Sequence, residues 1–164
     1  MAGEGKLTFK VNVLGMEQLN VQFRGRLAAL GDCSPAFARI AATIFDAERQ
    51  AFAEQGAYEG NPAWAPLSPR YEAWKAKHYA GKGVLDRTGR LRAMMEGGPG
   101  VLRDITAHRM ELRFGLRVGS YDLGGLHQTG TRRMPARKPL LLSRIKKSEF
   151  RHILAAHINQ ETKR

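Results

Sequence analysis

The chain has 164 residues, a mass of 18.2 kDa, a single cysteine and a net charge of +12. That length suits one domain with a real core, and no apolar run approaches the roughly 18 residues that a bilayer span needs. One cysteine, Cys33, excludes an internal disulfide and a multi-cysteine metal site; with an opening "MAGEGKLTFK" that lacks a signal peptide's apolar stretch, the expectation is a soluble protein made in a cytoplasm.

In chain order, Leu7, Phe9, Val11 and Val13 alternate with polar residues, which predicts a half-buried strand at about 6–14. From Met16 the apolar spacing lengthens to that of an amphipathic helix ending at Gly31. Ser34 then reads as an N-cap with Pro35 at the first helical position, and Phe37, Ile40, Ala41, Ile44, Phe45 and Phe52 share one face of a helix reaching about residue 54. Residues 55–69 carry three prolines and two glycines, so they read as a loop, ordered by burial of Tyr58, Trp64 and Leu67. Short helices are expected at "RYEAWKAKHY" and at 87–96, the second closed by the "GGPG" turn.

Beyond that turn, Val101, Met110, Leu112, Phe114 and Val118 predict two strands in the same sheet as the N-terminal one, because a lone hairpin is only marginally stable in water. Residues 125–143 read as an extended basic arm, "KPLLLS" as a buried extended run, and residues 144–160 as a final helix with Ile145, Phe150, Ile153, Leu154 and Ile158 on its apolar side. The fold expected over 1–164 is α+β in a single domain: a small, mostly antiparallel sheet packed against a long amphipathic helix, with a loop at 55–69, the arm, and a C-terminal helix.

The charge is unevenly placed. Residues 1–60 hold 6 basic and 7 acidic groups, residues 61–130 hold 11 and 6, and residues 131–164 hold 10 and 2. Such a field calls for a polyanion or an acidic protein surface. Seven cations and no acid fall within 131–147, among them Arg132, Arg133, Lys146 and Lys147, the set expected to face DNA if any part of the chain does. No helix-turn-helix or zinc-finger pattern accompanies them, and the arm lacks aromatics for stacking single strands, so sequence-specific recognition is not expected.

Catalytic chemistry finds little footing. His152 and His157 are five apart, about 140° around a helix, so they cannot share a metal as an i, i+4 pair does. Cys33 follows Asp32, whose charge opposes a thiolate, and reads as a small buried residue. The patterns GxSxG and GxxxxGK[ST] are both missing, and acids are too scattered for a carboxylate pair. His127 has a distinctive setting, "GLHQTG", but no positioned partner for general-base work, so local hydrogen bonds from Gln128 and Thr129 are expected to hold its ring. No catalytic residue, metal or cofactor is expected.

Three separated signatures line up in order: "WAPLSP" at 64–69, "LDRTGRLR" at 85–92, and "YDLGGLHQTG" with "MPARKPLL" at 121–141. Together they resemble the virion morphogenesis, or tail completion, proteins of tailed bacteriophages, over roughly residues 40–158. Trp64, Pro66, Leu67, Leu85, Thr88, Gly89, Leu91, Tyr121, His127, Gln128, Gly130, Pro135, Arg137, Pro139 and Leu141 fall on the positions of that pattern, while Asp122, Gly124, Gly125 and Lys138 depart from it. The resemblance implies an α+β fold, no enzymatic activity, and a homo-oligomeric ring, hexameric by analogy with tail symmetry, in the virion neck. Such a ring is assembled in the bacterial host cytoplasm, meets other neck and tail proteins, and has no membrane partner; contact of its basic residues with channel DNA, without reading sequence, is left open. Trp64, His127, Gln128, Pro135, Arg137 and Pro139 would then serve subunit docking, with Arg137 offering its planar fork to a neighbour. The alternative is a nonspecific DNA-binding accessory protein of phage assembly.

Overall fold

A 20-residue helix, α1 (Ser34–Ala53), organises the molecule. The computed structural model describes residues 31–161, so the strand expected at 6–14, its pairing, and the helix from Met16 lie outside the described residues. Ile40 and Ile44 are almost fully enclosed, and Phe37, Ala41, Phe45 and Phe52 complete the buried stripe. Each large side chain so buried contributes about 1.5–3 kcal/mol, far more than intrinsic helix propensity supplies. The start of α1 differs from expectation in one detail. Ser34 is the first helical residue, and the Asp32 carboxylate accepts from its backbone N at 2.8 Å and from its hydroxyl at 3.0 Å.

Helix α2 (Pro69–His78) follows the 55–69 loop, and α3 (Arg90–Met95) starts three residues later than the helix expected at 87–96. Gly89 enters α3 with φ +78, a conformation that bends the chain where a side chain would be strained. The hairpin β1 (Val101–Ile105) and β2 (Met110–Phe114) is antiparallel, with Val101 opposite Phe114 and Ile105 opposite Met110. Met110, Leu112 and Phe114 point inward, as their alternation requires, and Phe114 meets Phe45 edge-on at 6.4 Å. A second, minimal hairpin joins β3 (Arg117–Val118) to β4 (Tyr121–Asp122).

The segment "LGGLHQT" is helix α4 (Leu123–Thr129), where an irregular arm was expected from residue 125. The Asp122 carboxylate accepts from Gly125 N at 3.2 Å and so starts the helix despite two glycines. The last helix, α5 (Arg144–Glu161), packs along α1 through Phe150, Ile153 and Leu154, and His157 Nε2 donates to the Asp32 carbonyl at 2.8 Å. Three apolar expectations are corrected: Ile145, in the first turn of α5, is 61% exposed, Leu141 is 40% exposed while Leu140 and Ser143 beside it are buried, and Val118 is 40% exposed because it falls in the second, separate sheet and not in that of β1 and β2. Helices and two small antiparallel sheets around one core make an α+β fold.

Candidate functional site

The three signatures converge in space. Gly130 closes α4 with φ +74, and a Cβ there would come within 2.7 Å of Ala136 N, so only glycine lets the arm fold back at this point. The chain then makes a tight turn, Thr131 N donating to the Met134 carbonyl at 2.8 Å, and returns alongside α4 with Arg137 N on the His127 carbonyl at 2.8 Å. The Gln128 amide receives Leu140 N at 3.3 Å and donates to its carbonyl at 3.1 Å, acting as a surrogate strand partner.

From the other side, the 55–69 loop grips the same stretch. Trp64 Nε1 donates to the Lys138 carbonyl at 2.9 Å and its ring meets Phe52 at 4.9 Å; Asn61 Nδ2 donates to the Leu141 carbonyl at 2.9 Å. Gly56 supplies the space, since a Cβ there would sit 2.8 Å from the Trp64 ring. Arg137 is 6% exposed, and its Nε and Nη2 each donate at 2.6 Å to the carbonyls of Ala65 and Pro66. The planar fork expected to reach a neighbour is thus engaged within its own chain, because the "WAPLSP" loop presents two adjacent carbonyls at the right spacing. Pro139 is buried beside it, and Pro135 is exposed.

The remaining cations divide. Arg132, Arg133 and Lys147 are exposed. Lys146 is not: its side chain is 14% accessible and lies 3.5 Å from Glu59 and 2.9 Å from Glu149. Glu59 also accepts from Tyr58 Oη at 2.8 Å and from Ser143 Oγ, tying the loop to the first turn of α5. Partial burial works to lower the Lys146 pKa, but the bonds to Glu149 and Tyr58 outweigh it and raise it, and the geometry moves this residue out of the DNA-facing set.

His127 behaves differently from expectation. Gln128 is committed to Leu140, Thr129 Oγ1 donates to the Gly125 carbonyl, and among the described residues the buried His127 Nδ1 has no hydrogen-bond partner. Burial first, and the Arg137 charge second, lower its pKa and keep the ring neutral at pH 7. The ring lines an open groove of about 560 Å³ bounded by Pro66–Ser68, residues 85–91, Leu123 and the arm, so all three signatures contribute to one surface. Lys75, Arg87, Arg90, Arg133 and Arg137 also line it, and no carboxylate does among the described residues.

Beside the groove stands a feature not expected from sequence. Tyr71 and Trp74 on α2 are 37% and 40% exposed, and Trp74 stacks with Tyr71 at 5.5 Å and with His78 at 4.8 Å. The only buried residue of this helix is Lys75, which donates to the Gly83 carbonyl. The spacing 71, 74, 78 carried the signal of a row on one helix face.

Among the described residues no group of histidine, cysteine and acidic side chains could hold a metal, and no helix is long and apolar enough to cross a membrane. The site presents recessed apolar surface, fixed backbone and cations. Neither curated proteins nor solved structures give a match. The model of the phage virion morphogenesis family matches residues 14–159, a span containing the whole groove and every signature that forms it, and the chain belongs to that family.

Proposed function

We propose that the chain is a non-enzymatic structural protein of a tailed-phage virion that forms a ring in the neck, completing the tail or joining it to the head. Membership of a virion morphogenesis family gives the structural and assembly role, and the ring, its hexameric count and its place in the neck belong to this proposal. The observation that carries it is how the family's signature residues are spent. Gly130, Gln128, Arg137 and Trp64 fix backbone rather than expose reactive groups, holding the 131–134 turn and the groove in a set geometry. A subunit that repeats around a ring needs such a preorganised surface, since ordering it on contact would cost affinity.

The alternative, nonspecific DNA binding, is favoured by one observation: the exposed Arg132, Arg133 and Lys147. In a ring these cations line or approach the channel and meet phosphates without specifying sequence. The test is native mass measurement of the purified chain, followed by an averaged image of intact particles with the chain located by a tag. A closed ring in the neck is the expected result. A monomer that binds random duplex with steep salt dependence, and that is missing from the particle, would overturn the proposal.

A further inference from the structure

We infer that the groove between α2, the 85–91 turn and the arm is a docking site for an extended, acidic and partly apolar segment of a different virion protein. Its volume of about 560 Å³ falls within the ~300–1,000 Å³ typical of binding pockets. Leu67, Leu85, Leu91, Leu116, Leu123 and Met134 contribute apolar lining, and the exposed Tyr71 and Val118 extend it to the rim. Lys75 and Arg137 are turned to backbone carbonyls, which leaves Arg87, Arg90 and Arg133 as the exposed charges at the mouth. An extended peptide sends alternate side chains to opposite faces, so apolar residues enter the floor while carboxylates meet the three arginines, the residue type best shaped for them.

The occupant's charge follows from complementarity, since no carboxylate lines the groove among the described residues. A second copy of this chain is a poor occupant. Its densest acidic run, residues 46–59, is helical to Ala53, with Glu48 buried and Glu59 bonded to Tyr58 and Ser143. Nucleic acid is also a poor fit, because phosphates track exposed cations and bases need free aromatic faces. Here the floor is aliphatic, and the nearby Tyr71, Trp74 and His78 rings stack on one another.

The inference rests on the virion-docking reading but not on ring formation, and the two are separable. Fluorescence anisotropy of the full chain is measured with a labelled peptide of alternating glutamate and leucine, with an all-glutamate peptide of equal charge, and with a single-stranded oligothymidylate of equal charge; native mass is recorded in parallel. The alternating peptide should bind at least tenfold more tightly than either control. Its affinity should fall roughly tenfold in the double variant Arg87→Glu, Arg133→Glu, both exposed positions whose change leaves melting intact. Val118→Asp, at the apolar rim, should weaken the alternating peptide and leave the oligothymidylate unchanged. Equal binding of the two peptides, tighter binding of the oligothymidylate, or indifference to the double variant would overturn the inference. Peptide binding by a chain that stays monomeric would support it while counting against the ring.

Discussion

The returning half of the arm, residues 137–143, and its tip, residues 131–134, look alike in sequence: both are basic and proline-bordered. Their physical situations are opposite. Arg137, Lys138, Leu140 and Leu141 each give a backbone or side-chain group to a partner in α4 or the 55–69 loop, whereas Arg132 and Arg133 extend from a turn held chiefly by its own backbone bonds. The difference teaches that in this chain a cation's role is decided by which carbonyls lie opposite it. Arg137 finds two carbonyls 71 and 72 residues away, and Arg133 finds solvent. One half is bonded into the fold, and the other is exposed surface.

The contrast is broken most severely by removing the anchor of the returning half. Trp64→Ala deletes the Phe52 contact and leaves the Lys138 carbonyl without its donor, and is expected to cost about 3 kcal/mol in urea unfolding. An unchanged midpoint would mean the arm is held by something else. Gln128→Leu keeps volume but strips both bonds to Leu140, and is expected to cost about 2 kcal/mol and to speed hydrogen exchange at Leu140. The exchange rate is the sharper readout, because a purely global loss of stability would not single out that amide.

A smaller effect tests the electrostatics at the boundary between the two halves. His127 has a folded pKa below its ordinary value, so as pH falls below about 6.5 the unfolded chain takes up a proton that the folded chain resists. Its contribution to stability is therefore retained above that pH and lost progressively below it, until the folded ring also protonates. His127→Gln should flatten the fall in melting temperature between about pH 7 and pH 5 and should preserve infectious particles to within about an order of magnitude. Complete loss of particles by a folded variant would require a chemical role for the ring.

Much of this molecule was legible in sequence where the signal is local. The apolar period of α1, the alternation in β2 and the breaks at 55–69 and 97–100 report elements whose shape is set by near neighbours. Helix α4 was obscured because Gly124 and Gly125 weigh toward a loop, while the cap from Asp122 and the packing of the segment outweigh that propensity. The fates of Arg137 and Lys146 were not legible, since their partners, Ala65, Pro66 and Glu59, lie in the preceding half of the chain and only the folded loop brings them near. The family signatures meet in space, and Trp64, Gln128 and Arg137, read from sequence as contacts to a neighbour, make hydrogen bonds within their own chain.

The most direct test of this division compares Arg137→Lys with Arg133→Lys, measuring thermal melting and particle assembly for each. An ammonium cannot bridge the Ala65 and Pro66 carbonyls as the guanidinium does, so Arg137→Lys is expected to lower stability by about 2 kcal/mol and to lose assembly in proportion to the folded chain that remains. Arg133→Lys, on the exposed tip, is expected to leave melting within about 0.5 kcal/mol of the parent and to change assembly only through a contact made outside the chain. Normal melting with abolished assembly in Arg137→Lys, or a large loss of stability in Arg133→Lys, would contradict the assignment of the inner half to structure and the tip to assembly.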